Sequence, residues 1–494
     1  MRTRIAVIGA GVSGLSAAYR LHQLVPNAQI SLLEASGRLG GVIRTERRDG
    51  ALIEKAADNF IKMPPHAVNL CRELGLEDQL VPTRRKEQGA LVVRRQRLLP
   101  IPDGFAVMAP AKVWPFLTSP ILNPWGKLRA AGEIFIPAAS ADEDESLQDF
   151  VVRRFGQQMF DRLVQPLVGS IYTADPTRLS VAATLSRFKE MEQQHGSLIR
   201  GTWKQKAQMQ KSQVQKAPAK QTSSNQPAGG ARYGLFATLK QGMGQLIDAL
   251  SEQLTTITVR LNSPLDELLP SESGGWRLRV GGSQPAELAA DAVILAAPAP
   301  ATANFLDSFS PETARQLRSV HYASCGLVHL LFRREQIAHP LNAFGLVVPL
   351  KENRNILSCS FSSEKYPGRA PRGTVLVRAY LGGACQAELL DRSDDELGKL
   401  ARTELASLLG ARGEPLAEFV TRQERVMPQY HVGHLQRVKR IESELQPYPT
   451  LAFAGSSLYG VGVPACVHSG RQAAEQIVNV LGQQPAADLV RNAV

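Results

Sequence analysis

The stretch RIAVIGAGVSGLSAAYRL, residues 4–21, decides how the rest of the chain is read. Its opening, RIAVI, is an apolar run closed by glycine, the pattern of a short strand buried on both faces. From Val12 onward small residues alternate with Leu15, Ala18 and Leu21 at helical spacing. Between strand and helix stand Gly9, Gly11 and Gly14, with Ala10, Val12 and Ser13 completing a G-x-G-x-x-G pattern. The first glycine makes the tight turn, the second lets a pyrophosphate approach the backbone, and the third lets helix and strand pack closely. Phosphates then rest at the helix N-terminus, where free N–H groups and the helix dipole favour negative charge. Downstream, QISLLEA (29–35) predicts a second strand. It ends beside Glu34, about 20 residues after the last glycine, where a carboxylate can accept bonds from ribose hydroxyls. Strand, helix, strand and acid together predict a β-α-β dinucleotide-binding unit.

The next residues, EASGRLGGVIRT (34–45), carry Ala35, Arg38, Gly40, Gly41 and Val42. A second glycine pair lets the chain pass close to another part of the cofactor, and Arg38 can offset pyrophosphate charge. This resembles the Arg-x-Gly-Gly element of the large flavoprotein family that includes amine oxidases and desaturases. Near the other end, LAFAGSSLYGVGVPACVHSG (451–470) reads as a strand, a glycine-rich turn and a helix. In that family such an element caps the flavin ring, far from the adenine. On the resemblance, Gly455 allows close approach to the ribityl phosphate. Val461, Gly462 and Val463 present backbone N–H groups at a helix N-terminus, facing the flavin N1/C2 carbonyl, a dipole that favours the anionic reduced flavin. The implied cofactor is FAD, long enough to need both ends of the chain.

With 494 residues, 44% hydrophobic and 21% charged, the composition is that of a globular chain of two to four domains. The net charge of +12 favours a polyanion, an anionic membrane or an acidic small molecule as partner. Five scattered cysteines include no C-x-x-C pair, which points to a reducing compartment and away from a metal site. The first strand starts by Arg4, so no signal peptide is expected, and no apolar run is long enough for a membrane span. The expectation is a cytoplasmic protein, with peripheral attachment to an anionic membrane and a homodimer left open.

Residues 203–232, rich in Gln, Lys, Ser, Ala and Pro, predict a disordered basic insertion. Its one aromatic, Trp203, lies at the edge, so nucleic-acid stacking is not expected. After it, LKQGMGQLIDALSEQL (239–254) predicts a helix, and TTITVRLNSPLDELL, GWRLRV and ADAVILAAPAP predict strands of a returning sheet. CGLVHLLF, FGLVVPL, ILSCSF and TVLVRAYLGG mark a strand-rich region, and DDELGKLARTELASLLG an amphipathic helix. The expected fold is α/β: a Rossmann-like FAD-binding domain with a mixed sheet, a β-rich substrate domain and a helical membrane-facing subdomain. The FAD-binding domain takes residues 1–88, 233–300 and 425–494; the substrate domain 89–102 and 301–424; the helical subdomain 103–202.

Four further segments, PLVGSIYTADPTRLSVAATLSRFKEMEQQHGSLIRG (166–201), FSSEKYPGRAPRGTVLVRAYLGG (361–383), MPQYHVGH (427–434) and YGVGVPACVHSGRQAA (459–474), resemble the oxygen-dependent protoporphyrinogen and coproporphyrinogen oxidases. The likeness runs from about residue 4 to about residue 480. It implies oxidation of a porphyrinogen to the porphyrin in three two-electron flavin rounds, with O₂ as acceptor and H₂O₂ as product. It places flavin contacts on Gly9 to Gly14, Glu34, Ala35, Arg38, Gly41, Val42, Asp58, Gly455 and Val461 to Val463, and an adenine clamp on Leu265. The chain departs from the family pattern in four places. Ala56-Ala57 replaces Gly-Pro before Asp58, which is retained; Gln423 replaces a tryptophan; Ala465 replaces an aspartate; and Ala90 replaces an arginine.

The chemistry asks for orientation and a dry pocket rather than a nucleophile, so no catalytic residue and no metal ligand is named. The substrate's carboxylates call for cations, and Arg84, Arg85, Lys86, Arg94, Arg95 and Arg97 cluster around one strand, where a solvated basic hairpin is the alternative. Phe344 and Leu346 can pack on a tetrapyrrole or serve as core strand residues. His431 and His434 are read as structural, and Cys466 as a packing cysteine. Residues 104–137 mix Trp114 and Trp125 with Lys112, Lys127 and Arg129, as in a helix lying on a membrane or one packed on its own domain. A flavin amine oxidase, a desaturase and a non-catalytic binding protein on the same fold remain as rivals.

Overall fold

Arg4–Ile8 forms the middle strand of a five-stranded parallel sheet in a computed structural model that describes residues 2–84, 89–110, 112–140, 143–215, 236–272 and 274–483. The order is Thr258–Arg260, Gln29–Leu33, Arg4–Ile8, Ala292–Leu295 and Leu451–Phe453. Every neighbouring pair is parallel. Both faces are covered, which is why these strands read as unbroken apolar runs. Ile5, Val7, Ile30, Leu32 and Ile294 face helices Val12–Leu24 and Val463–Gln483. Ala6, Ile8, Leu33, Val293 and Leu295 face Trp276, Leu278, Ala299 and Ile441 on the other side.

Two expectations for this region change. Leu265–Pro270, Trp276–Val280 and Ala286–Ala290 form their own antiparallel sheet instead of returning to the main one. The alternation buried–exposed along WRLRV is the reason, because it marks a strand with one wet face. The apolar LKQGMGQLIDALSEQL is a strand end, a turn at Gly242 and the helix Gly244–Glu252.

A second sheet has seven strands in the order Ala417–Gln429, His321–Arg333, Thr374–Gly382, Ser358–Ser360, Gly345–Val347, Leu91–Arg94 and Arg97–Pro100. It is the mixed sheet of the molecule: Gly345–Val347 runs parallel to Leu91–Arg94 and the other pairs are antiparallel. The strand Ala417–Gln429 runs across the expected boundary at 424. Helix Asp394–Leu409 packs on it, started by a Ser393/Glu396 capping box and stopped at Gly410.

Helices between residues 113 and 215 build a third layer around Phe150, Phe155, Leu163 and Phe188. At its centre Arg154, fully buried, pairs with Glu133 and with Glu192 at 3.3 Å, while Arg153 reaches Glu192 at 2.8 Å and Glu145 at 2.7 Å. Helix Leu198–Gln215 extends into the segment expected to be disordered. Gln, Lys and Ala are good helix formers, and a helix already nucleated at Leu198 propagates through them. The rest of that segment lies outside the described residues. No described helix is long and apolar enough to cross a membrane.

Candidate functional site

The turn after the first strand is built as its sequence predicts. A methyl group added at Gly14 would stand 1.8 Å from the Gly9 carbonyl oxygen, so only glycine lets helix and strand meet there. A side chain at Gly11 would meet no protein atom within 4 Å, so the open side of the loop suits a pyrophosphate. Glu34 braces the loop: its carboxylate accepts from the Ala10 N–H at 2.8 Å and from the Ser36 N–H and hydroxyl at 2.8 and 2.7 Å. The Arg-x-Gly-Gly element is pinned on top, with a bridge between Gly11 and Gly40 and the Gly40 N–H donating to the Ala10 carbonyl at 2.8 Å. Burial and the neighbouring Arg44 hold the Arg38 guanidinium below its ordinary pKa, a strain that an anion beside it would relieve. Ala35 and Val42 are exposed on this edge, and Leu265 is buried in the cluster with Ile8 and Leu33.

The two ends of the chain meet. Helix Val463–Gln483 packs along Val12–Leu24 so closely that a methyl group at Gly470 would lie 2.2 Å from the Ser13 carbonyl oxygen. Gly455 faces Ser13 Oγ across 3.8 Å from the position its own Cβ would take. Val461 and Gly462 lead directly into the helix that opens at Val463. The glycine turns at 9–14 and 455–462 therefore stand together at the carboxyl ends of the parallel strands, where such sheets bind ligands. The residues present fit a dinucleotide extended by a second ring system.

Sequence reasoning missed what holds the second turn. The Tyr430 hydroxyl donates to the Ser456 carbonyl at 2.5 Å and accepts from the Gly460 N–H at 2.7 Å. His434 stacks on Tyr430 with ring centroids 3.8 Å apart, and its Nε2 lies 3.1 Å from the Leu458 carbonyl. Burial lowers its pKa to about 4, so it is neutral. MPQYHVGH is thus the strut of the C-terminal turn, and no metal cluster occurs among the described residues. Cys466 is buried, with its thiol pushed up to about 11 by burial, which makes it an inert packing group.

Asp58 lies where the first domain meets the second sheet. Burial alone would raise its pKa, but Lys365 at 3.3 Å and Arg378 at 3.5 Å outweigh that and hold it at about 2. Arg378 also donates to the carbonyls of Glu54 and Ala56 at 3.1 and 2.9 Å. Gln423, standing where the family pattern has tryptophan, donates to the Lys55 carbonyl at 2.5 Å. The altered Ala56-Ala57 segment is therefore held by side chains from the second sheet.

The expected substrate contacts fare differently. Leu346 is buried in the second sheet's core beside Leu91 and Cys359, the core reading left open above. Phe344 is buried too, its N–H donating to the Gly89 carbonyl at 3.0 Å. Arg95 occupies an exposed turn at φ 48°, with its backbone N–H on Glu352. Arg84 sits 3.9 Å from Glu364, and Arg85 and Lys86 lie outside the described residues. Arg94 is partly buried, its pKa lowered by burial and by the charge of Arg162, which the sequence did not single out.

Comparison with known proteins gives the family. The family model for flavin containing amine oxidoreductases matches residues 12–478. The coproporphyrinogen III oxidase of Staphylococcus aureus is 31% identical over 97% of this chain and 99% of its own. Protoporphyrinogen oxidase 2 of Arabidopsis thaliana is 28% identical over 97% and 94%. A solved protein of Exiguobacterium sp. 255-15 superposes with a TM-score of 0.81 at 28% identity, covering 97% of this chain and 99% of that one. The fold extends to cyclohexylamine oxidase of Brevibacterium oxydans IH-35A, with a TM-score of 0.68 at 17% identity over 98% and 100%. The chain belongs to the flavin containing amine oxidoreductase family, and its cofactor is FAD.

Proposed function

We propose that this chain oxidises a porphyrinogen to the porphyrin in haem biosynthesis, with O₂ as acceptor and H₂O₂ as product. Coproporphyrinogen III is the favoured substrate over protoporphyrinogen IX. The observation that carries the reading is full-length likeness: relatives named coproporphyrinogen III oxidase reach 31%, 32% and 34% identity over at least 97% of this chain. Those named protoporphyrinogen oxidase reach 27% to 30%.

Bound FAD supplies the two-electron acceptor. The chain's own groups bind and orient. Gly9 to Gly14 and Arg38 hold the pyrophosphate against a helix N-terminus, and Glu34 meets the ribose. Val461, Gly462 and Val463 offer N–H groups at the start of the last helix, with Tyr430 and His434 fixing their turn. Arg378 and Gln423 fix the Lys55–Ala56 backbone on the opposite wall. Arg94 and Arg162 form a cationic pair suited to substrate carboxylates. No side chain needs to act as acid or base, because removing electrons from an electron-rich pyrrole framework depends on placement and exclusion of water.

The test is anaerobic. Coproporphyrinogen III added to the yellow protein should bleach the flavin band, and air should restore it with release of H₂O₂. A protein that stays yellow with this substrate and with protoporphyrinogen IX would end the reading.

Peripheral membrane contact is part of the same proposal. Trp114 (74% exposed), Trp125 (76%) and Phe135 (80%) stand out from helices Val113–Thr118 and Pro124–Ala131 and the turn Gly132–Phe135, with Leu128 beside them. Lys112 is paired with Asp103, and Arg129 donates to the carbonyls of residues 152–154, so apolar insertion outweighs charge here. The protein should sediment with phosphatidylglycerol vesicles in high salt, and the double variant Trp114→Ala, Trp125→Ala should not; wild-type protein left in the supernatant argues against it.

A further inference from the structure

A small cavity between the first domain and the second sheet is lined by Leu52, Glu54, Asp58, His329, Ser362, Tyr366, Arg369 and Arg378. It has room for one occupant about the size of a water molecule, and a halide would need the lining side chains to give by a few tenths of an ångström. Four of these residues carry polar atoms with no hydrogen-bond partner of good geometry: the ring nitrogens of His329, one of which is directed at the Glu54 carbonyl, the Tyr366 hydroxyl, Arg369 Nη1 and Arg378 Nε. All four residues are at most 3% exposed. Buried polar groups are nearly always paired, so such a concentration of orphans marks a missing occupant.

We propose that this cavity is a binding site for one small monovalent anion of halide size. The orphaned atoms are chiefly donors. Arg378 Nε and Arg369 Nη1 can only donate, and the Tyr366 hydroxyl can donate as well. The carboxylates in the wall are already engaged. Glu54 accepts from the Met243 N–H at 2.8 Å and the Thr45 hydroxyl at 2.7 Å. Asp58 takes Asn59, Lys365 and Arg378. Neither needs a further donor, which leaves the Tyr366 oxygen and one His329 nitrogen as the acceptors open to a water.

Charge points the same way. Lys365, Arg369 and Arg378 face only Asp58 and Glu54. Arg369 uses Nη2 on two neutral groups, the Thr238 hydroxyl at 2.7 Å and the Leu239 carbonyl at 3.1 Å. Three buried cations against two carboxylates leave one charge unbalanced, and an anion against Nη1 would offset it. His329 stays neutral, its pKa lowered to about 3 by burial and by Arg378, so it adds no charge to the cavity.

The test uses FAD-loaded full-length protein. Crystals grown without halide are soaked in sodium bromide, and the anomalous difference map is computed at the bromine edge. In parallel, the melting temperature is followed against sodium chloride, with sodium gluconate replacing it at constant ionic strength. A bromide peak against Arg369, Arg378 and Tyr366 is expected, with a saturable upward shift in melting temperature on the order of 2–4 °C. Tyr366→Phe, which removes one donor and keeps the ring, should weaken the chloride response several-fold. Water density without a bromide peak would overturn the proposal. So would a peak with identical melting in chloride and gluconate, since that is binding at crystal concentration only.

Discussion

Substituting Gly470→Ala tests whether helix packing is what joins the two cofactor turns. The new methyl group would lie 2.2 Å from the Ser13 carbonyl oxygen and 3.1 Å from the Ala17 nitrogen, both backbone atoms that cannot rotate aside. Ordinary contact needs roughly 1 Å more, so the last helix must retreat from Val12–Leu24 by about that distance. Overpacking of this kind costs about 1–3 kcal/mol. The displacement falls on Ser13, in the first loop, and within the helix that carries Val463, so it widens the gap between the two turns. FAD affinity should drop about 10- to 100-fold, the equivalent of about 1.4–2.8 kcal/mol. Titration of apoprotein with FAD, followed by quenching of flavin fluorescence, reads this directly. Gly482→Ala is the control: it lies on the same helix with nothing within 4 Å, and should stabilise by about 0.5–1 kcal/mol with FAD binding unchanged. If Gly470→Ala binds FAD as tightly as the parent, the helix contact does not set the spacing of the turns.

Tyr430→Phe removes the hydroxyl that bridges Ser456 and Gly460, which leaves a carbonyl and an N–H unpaired. FAD affinity should fall by about 1–3 kcal/mol with little change in far-ultraviolet dichroism; unchanged affinity would show that the turn holds itself. Asp58→Asn should flatten the acid limb of the stability profile. The folded pKa of about 2 lies below the unfolded value of roughly 3.9, so this carboxylate contributes roughly 2 kcal/mol above about pH 4, lost as pH falls through about 2. Denaturant melts at pH 2, 4 and 7 check this, and an unchanged acid limb in the variant would contradict the pairing with Lys365 and Arg378. Under native conditions a thiol reagent should label Cys385, the exposed cysteine, and slowly, because burial raises its thiol to about 11. Rapid labelling of Cys466 would mean that the last helix opens.

Both cofactor turns could be read from the sequence because each is local: a strand, glycines at fixed offsets and a helix lie within one short stretch. Their meeting was implied by the flavin resemblance, and Gly470 against Ser13 is the contact that realises it. The buried cluster of Asp58, His329, Lys365, Arg369 and Arg378 left no such trace. Asp58 lies in a turn about 270 residues or more before the other four, and Lys365 and Arg369 stand at a helix end and in a loop, where a polar residue is unremarkable in sequence. A signal existed only in His329 and Arg378, polar residues inside the apolar runs CGLVHLLF and TVLVRAYLGG, which pair in register across two strands. Leu346 illustrates the opposite difficulty, since an apolar strand residue beside a pocket and one in a core read alike. The alternation in WRLRV was legible as a strand, but its sheet partner depended on the turn at Gly275, which folds it back on a neighbour.

The central claim is tested most directly by porphyrin fluorescence. Coproporphyrinogen III and protoporphyrinogen IX, prepared anaerobically, are each mixed in air with the FAD-loaded protein, and emission is followed beside an enzyme-free control. The account predicts a rise well above autoxidation, faster with coproporphyrinogen III, with three H₂O₂ formed per porphyrin. Emission that tracks the control for both substrates, in protein that holds its FAD, would contradict it.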